Sequence, residues 1–476
     1  MKPAPIAILA CLAIVSGCAV GPNYHPPHIS APTAWSSPLA GGETNGPVAL
    51  ADWWKNFGDT NLDALMTQAV RSNLDLRIAE ARVREARARR AVVVGGWWPS
   101  LSGSAAYSRN RWSQNNFPPI PPGVPLDYNL YNAGFDAAWE MDLFGGTRRA
   151  VEAANAEVGA AEYSRRDVLV SLLAEVARNY LEARGFQQRL AIARQNIQVQ
   201  TEILDLTRSR FQHGLSSDLD VQQAAALLNA TEAQVPSLKT GFQAAVHHLA
   251  VLLGQPPGAL LNEMAAEKPI PLTPPVVPVG LPSDLLERRP DIQRAERELA
   301  AATARIGVAT ADLFPKFSLT GVLGVESVSA GNWFDAASRY WTAGPTLQWN
   351  IFQAGRLRAN IRVQTARQEQ ALETYQKTVL TALEEAENAL VAYAQEQVRR
   401  RSLWNSVQAD QRALELARQL YRSGLADFLR VLESERSLYA AQDALVQSDQ
   451  TISLDLVQLY KALGGGWSNP PVSNSK

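Results

Sequence analysis

Cys18 is the residue best placed for chemistry, because of what stands before it. Met1 and Lys2 open the chain, an apolar run from Ile6 to Val15 follows, and the small residues Ser16 and Gly17 precede the thiol. The run is about ten residues, half of what a bilayer-spanning helix needs, so it reads as a secretory signal. Small residues fit a narrow protease cleft. A thiol directly after them can take a diacylglyceryl group, and cleavage then frees an amino terminus for a further acyl chain. Residues 1–17 are therefore read as a lipoprotein signal and Cys18 as a lipidated residue. An ordinary signal with an incidental cysteine is the competing reading. Several acyl chains anchor a protein stably, at about 0.8 kcal/mol per buried CH₂. Ala19 stands where an aspartate would favour retention in the inner membrane, which points to the outer one. Cys11, the other cysteine, leaves with the signal, so no disulfide is expected.

Other reactive arrangements are missing. There is no GxSxG, P-loop or HExxH, and no GxGxxG after a strand. The histidines are His25, His28, His213, His247 and His248. The adjacent pair points to different helix faces and cannot chelate one ion as an i,i+4 pair does. Neither an enzyme nor a cofactor is expected. With 45 basic and 46 acidic residues the net charge is −1, without the basic excess that nucleic acid requires. No apolar run of about 18 follows the signal, so only a lipid or a β-barrel could hold the mature chain in a membrane.

The elements that would carry such an anchor are written twice. "RFQHGLSSDL" at 210–219 matches "LYRSGLADFL" at 420–429, with Gly214 on Gly424; "WPSL" at 98–101 matches "FPKF" at 314–317. The reading is a lipidated extended segment at 18–60, a first repeat at 61–268, a Pro-rich linker at 269–282, a second repeat at 283–466 and a tail at 467–476. Each repeat holds a helical arm (Leu62 to Val94; Ser283 to Leu313), alternating segments, a very long helix and a last arm. Leu169, Val176, Ala183, Leu190, Ile197 and Leu204 recur every seven residues, the spacing that keeps one seam against a neighbour. A helix of about 65 residues extends roughly 100 Å. Two shorter arms sum to the same length, so one long helix packed against two stacked short ones is the expected unit. Pro236 predicts a kink in its arm.

Strands are predicted at about 101–113, 126–142, 317–327 and 338–350. Trp341, Ala343, Pro345, Leu347 and Trp349 alternate with Tyr340, Thr342, Gly344, Thr346 and Gln348. This apolar/polar alternation with aromatic ends suits a transmembrane barrel, although a half-buried hairpin shares it. Four strands cannot close a barrel, and open edges are not tolerated in lipid. Three copies would supply twelve.

At this point the chain resembles a known family. Cys18 with "AVGPNY" after it, the paired repeats, "RRPDIQRAERELAAATARIGVATADLFPKFSLTG" and the terminal "YKALGGGW" are similar to the TolC-like outer-membrane factors, in the lipoprotein branch of efflux outlets. The resemblance covers about Cys18 to Trp467. It implies an α+β membrane protein: a homotrimer with a 12-stranded outer-membrane β-barrel continuous with a periplasmic α-helical coiled-coil barrel. It implies two further partners, a periplasmic adaptor and an inner-membrane transporter, often of the proton-driven RND type. The expected function is passive conduction of small molecules such as drugs across the periplasm and outer membrane. An outlet for secreted polypeptides and a non-conducting envelope lipoprotein are the alternatives.

Both Gly turns are expected at the end opposite the barrel, where Gly214 and Gly424 can end helices in the left-handed conformation. Ser217 and Asp220 fit a capping pattern. Asp218 with Leu219, and Asp427 with Leu429, open the last arms. Leu429, Glu433 and Arg436 step by four and three and share a face. The resemblance implies that such positions narrow a periplasmic aperture, with an acid–Arg pair linking protomers. The lipoprotein members often have Asp where this chain has Glu433. The first repeat carries Gln223 and Ala226 opposite Glu433 and Arg436, so the constriction is expected to be asymmetric.

Overall fold

The Asp59 carboxylate accepts from the amides of Asn61 and Leu62 and starts helix α1, Thr60–Ser72, by giving its free donors an acceptor. In this computed structural model residues 19–467 are described, except 30, 31, 38, 40, 45, 47–49, 116, 117, 272, 273 and 275. The predicted signal, Cys18 and the tail after Trp467 lie outside the described residues. After α1 come α2 (Leu74–Gly95), β1 (Ser100–Arg111), β2 (Asp127–Met141), α3 (Gly146–Gln212), α4 (Asp218–Glu232) and α5 (Gln234–Leu252). The second half holds α6 (Asp284–Arg288), α7 (Pro290–Ala311), β3 (Lys316–Ser327), β4 (Arg339–Gln348), α8 (Arg356–Arg422) and α9 (Phe428–Ala462). Helices α3 and α8 are each 67 residues long. Among the described residues no helix is long and apolar enough to cross a membrane.

Two compact units share these elements, and each draws on both halves of the chain. The first comprises Val83–Ala161 and Ala295–Tyr375 with the segment before Ile29; the second comprises Ile29–Arg82, Glu162–Arg294 and the chain from Gln376 on.

In the second unit the duplication recurs as contacts. Asn73, between α1 and α2, caps α2 by accepting from Leu76 N and donates to Leu252 O at 2.9 Å. At the matching place Arg289, between α6 and α7, donates to Ala462 O at 3.0 Å. Gly254 and Gly464 follow the two arms with φ of 68° and 76°. A Cβ on Gly254 would lie 2.7 Å from Ser72 O, and one on Gly464 3.0 Å from Arg288 O, so glycine is needed twice for the same close approach. Within this unit Val176, Ala183, Leu190 and Leu204 bury the heptad seam of α3, and Val379, Ala386, Leu390 and Tyr393 that of α8. Trp53, almost fully buried, stacks on Tyr460 at 5.2 Å.

Two expectations change in detail. The first arm is not one helix but breaks at Asn73. The last arm of the first half breaks at Ala233, three residues before Pro236. A proline clashes with the carbonyl four residues earlier, here Glu232, so the discontinuity falls upstream of the ring. Helix α9 has no proline and runs unbroken for 35 residues. In the Pro-rich stretch, Val277–Pro278 forms a two-residue parallel bridge with Glu43–Thr44.

The first unit holds a four-stranded sheet in the order β1-β2-β3-β4, antiparallel throughout. The segment from Ala19 is bound beside it. Val20 N donates to Phe144 O at 3.1 Å, and the buried Arg149 donates to Val20 O, Gly21 O and Asn23 Oδ1. Tyr24 donates to Glu296, and burial, then that bond, raises its hydroxyl pKa.

Candidate functional site

The sheet has two unlike faces. Gly103, Phe135, Leu323 and Trp341 form one row across the four strands, and Leu101, Ala137, Gly321 and Ala343 the next. Trp139, Leu319 and Pro345 continue that face. The opposite face runs Ser102, Asp136, Val322 and Thr342, then Ser104, Gly134, Gly324 and Tyr340. The apolar face is uncovered: Leu323 is 60% exposed and Trp341 75%. The edges β1 and β4 have no partner strand among the described residues. Pro345 lies in β4, at the edge of the sheet of a single copy, and leaves that strand one donor fewer. Gly324 makes room for the Tyr340 ring, since a Cβ there would come within 2.9 Å of it.

Aromatic rings gather at both ends of the strands. Tyr107 with Tyr131, Trp112 with Tyr128, and Tyr131 with Trp333 lie 5.0 to 5.7 Å apart near the loops. At the helix end Phe144 stacks on Phe314 at 4.6 Å, and Trp98, Trp349, Ile351 and Phe352 are exposed. There Trp139 donates to Trp97 O and Trp349 to Leu313 O, tying strands to the turns that precede β1 and β3. An apolar band between aromatic girdles matches the outer surface of a bilayer-embedded strand.

The two Gly turns are built alike. Gly214 and Gly424 have φ of 74° and 72°. Leu215 N bonds to Arg210 O, and Leu425 N to Leu420 O, the six-residue closure of a helix by a left-handed residue. Ser217 and Asp220 form a reciprocal capping box, so their pattern is explained by capping. Asp427 caps α9 by accepting from Arg430 N. Asp218 lies in the first turn of α4 and accepts from Gln222. Leu204, Val221, Ala224, Leu414, Ala417, Phe428, Val431 and Leu432 form one core that joins the helices of both turns.

Leu219, Leu429, Glu433 and Arg436 all face outward. Glu433 and Arg436 make no ion pair with each other or with any other described residue. The buried acid at this end is Glu435, 4% exposed, and Arg418 of α8 donates to it at 2.9 Å. Burial raises the Glu435 carboxyl pKa, only partly opposed by Arg418. Glu435 is not among the residues predicted for this end. The signal for it was the buried stripe Val431, Leu432, Glu435 and Tyr439, in which an acid occupies an inward position. Arg149, which holds the segment after Cys18, was also missed, because two of its partners in that segment are backbone carbonyls, which no motif records, and the third, Asn23, is 126 residues away. Among the described residues no cluster of metal-binding side chains occurs.

Comparison with known proteins gives a consistent result. The profile of the family described as Outer membrane efflux protein matches residues 65–255 and 281–465. The chain is 36% identical over 467 residues to the pyoverdine export outer membrane protein OpmQ of Pseudomonas aeruginosa, covering 97% of this chain and 96% of that one. It is 33% identical to nodulation protein T of Rhizobium leguminosarum bv. trifolii, covering 96% of each. The solved outer-membrane channel OprN is similar with a TM-score of 0.87 and 38% identity, over 94% of this chain and 100% of that one.

Proposed function

The chain belongs to the outer membrane efflux protein family, and from that premise we propose that three copies assemble into a single outer-membrane duct. The protein is an outer-membrane exit channel of a tripartite efflux system and not an enzyme. It conducts passively, and the energy comes from an inner-membrane pump reached through a periplasmic adaptor. We assign the pump to the RND type and the cargo to small molecules such as drugs.

One observation carries the assembly. The sheet is apolar on one face, polar on the other, and open at both edges. In lipid each open edge leaves a row of unsatisfied amides and carbonyls, several kcal/mol apiece in order of magnitude. Joining β4 of one copy to β1 of the next removes every edge, and three copies close a 12-stranded barrel. The apolar rows then meet lipid and the serine- and threonine-rich rows line the lumen. Helices α3 and α8, with the shorter arms, continue it as a coiled-coil barrel. Its far end carries the Gly turns, where outward-facing Leu429, Glu433 and Arg436 narrow the aperture between protomers, with Asp218, Leu219 and Asp427 on the same turns.

Lipidation of Cys18 fits the same arrangement. Ala19, its neighbour in the chain, packs against Gly145 at the helix end of β2, so close that a Cβ on Gly145 would overlap it. Acyl chains on Cys18 would enter the bilayer at that level. The mass of the particle in mild detergent, followed by single-channel recording, tests the proposal. A trimer that conducts is expected; a stable monomer contradicts the barrel, and a silent trimer favours a structural lipoprotein.

A further inference from the structure

Charge in the sheet-bearing unit is uneven, and the unevenness follows the sheet edges. Helices α3 and α7 adjoin the inner strands β2 and β3. There the arginines are matched: Arg148 with Asp142, Arg149 with Glu152, Arg297 with Glu296, Arg305 with Glu157. Helix α2 enters the edge strand β1, and α8 leaves the edge strand β4. From Val83 to Gly95, α2 carries Arg84, Arg87, Arg89 and Arg90 against Glu85 alone. From Arg356 to Gln368, α8 carries Arg356, Arg358, Arg362 and Arg367 and no acid. Arg89 pairs with Glu85, Arg90 donates to Asn155 and Arg356 to Gln353. Arg358, Arg362 and Arg367 are exposed and have no carboxylate partner among the described residues.

We propose that these arginines bind the phosphodiester headgroups of anionic phospholipid in the periplasmic leaflet, at sites completed where β1 of one copy meets β4 of the next. The inference rests on the assembled duct proposed above, because that junction brings α2 and α8 of neighbouring copies side by side. Arg84, Arg89 and Arg90 of one copy would then share each seam with Arg356, Arg358, Arg362 and Arg367 of the next, with Glu85 the one acid of those two stretches. Like charges so placed repel unless a counter-anion sits among them, and a guanidinium binds phosphate through two parallel hydrogen bonds.

The neighbouring residues select lipid as the source of that anion. Exposed Trp97 and Trp98 follow α2, and exposed Trp349, Ile351 and Phe352 precede α8. Arg89, Arg90, Arg358 and Arg362 lie within about 10 Å of those helix ends, counted along the helices. The headgroup layer beside an aromatic belt is about 5–8 Å deep, so long arginine side chains at those positions reach it. The anchor segment reaches the same end of the sheet through Ala19 and Gly145, so the leaflet concerned is the one that receives the acyl chains of Cys18.

The test compares phosphatidylglycerol with phosphatidylcholine on the full-length protein in mild detergent, after its mass has been measured. The readouts are the trimer dissociation temperature and the lipid retained in native mass spectrometry, at low and high salt. Phosphatidylglycerol is expected to raise the dissociation temperature more than phosphatidylcholine, with the difference shrinking at high salt. The variant Arg89→Gln/Arg90→Gln/Arg358→Gln/Arg362→Gln should lose most of the preference, by roughly fivefold in lipid affinity per charge. A wild-type trimer stabilised equally by both lipids at low salt overturns the proposal. So does a variant that keeps the preference, or one that keeps it and changes ion selectivity, which would assign the arginines to the lumen. If the variant does not assemble, the wild-type comparison decides alone. A monomeric wild type sinks the duct and this site together, whereas a trimer without lipid preference sinks the site only.

Discussion

Arg418 donates to Glu435 at 2.9 Å across the α8–α9 turn, while Glu433, two residues earlier on α9, faces outward with no ion-pair partner among the described residues. The two acids therefore differ in kind. One is a buried structural pair within the chain, and the other is left open to a neighbouring protomer of the proposed trimer. Glu435 Oε2 has no hydrogen-bond partner among the described residues, so Arg418 is the principal compensation for its charge. Arg418→Ala should lower stability by about 1–3 kcal/mol, a value reduced because Arg418 is itself 39% exposed. Adding Glu435→Ala should recover part of that loss by removing the uncompensated carboxylate. Denaturant midpoints of the single and double variants measure it, and a double variant weaker than Arg418→Ala would contradict the burial argument.

The proposed gate residues predict a change in conduction without a change in assembly. Glu433→Ala with Arg436→Ala should raise single-channel conductance and leave trimer yield unchanged. An exposed pair is worth about 0–1 kcal/mol, yet three copies acting together can bias a closed state that an adaptor then opens. Unchanged conductance would leave Leu429 as the constriction.

Opposite sheet faces should respond oppositely to one charge. Leu323→Arg places a guanidinium on the apolar face and should cost about 2–4 kcal/mol near the bilayer midplane. Thr342→Arg, on the polar face, should assemble normally and shift ion selectivity instead. Heat-modified gel mobility reports assembly, and equal behaviour of the two variants would refute the face assignment.

Cys18→Ser should give unlipidated, poorly processed protein, checked by metabolic labelling with a fatty acid. Wild-type protein that stays unlabelled would remove the anchor. Arg149→Ala, which releases the carbonyls of Val20 and Gly21 and the Asn23 side chain, should make the segment after Cys18 more sensitive to protease while leaving labelling intact.

Asp455 on α9 predicts a pH effect. Burial, with the nearby Glu396 adding to it, pushes its carboxyl pKa up to about 6. Between the ordinary carboxylate range and pH 6 the folded chain then holds more protons than the unfolded one. Stability from this group is present at low pH and lost as pH rises through 6. Relative to the wild type, Asp455→Asn should be stabilised by about 1–2 kcal/mol at pH 7.5, and the difference should vanish near pH 4. A pH-independent difference would mean that Asp455 is not perturbed in this way.

Periodic and local features were readable directly from the residues. Heptads, strand alternation, the Gly turns and the duplication depend on backbone geometry that repeats within a few residues, so spacing alone specifies which face a side chain takes. Pairings between distant segments were not readable. The run "ESER" at 433–436 offers two acids and an arginine of equal local promise, and only the packing of α9 against α8 turns Glu435 inward to Arg418. In the same way the Asn73–Leu252 and Arg289–Ala462 contacts join unlike residue types at matching places, so no motif could announce them. Arg149 binds carbonyls that every sequence possesses. The break at Ala233 fell three residues from the proline that causes it. The sequence by itself determined the elements and their faces. The tertiary structure decided which of those faces meet, because burial and charge compensation depend on groups on different elements, 17 residues apart for Arg418 and Glu435 and 179 for Asn73 and Leu252.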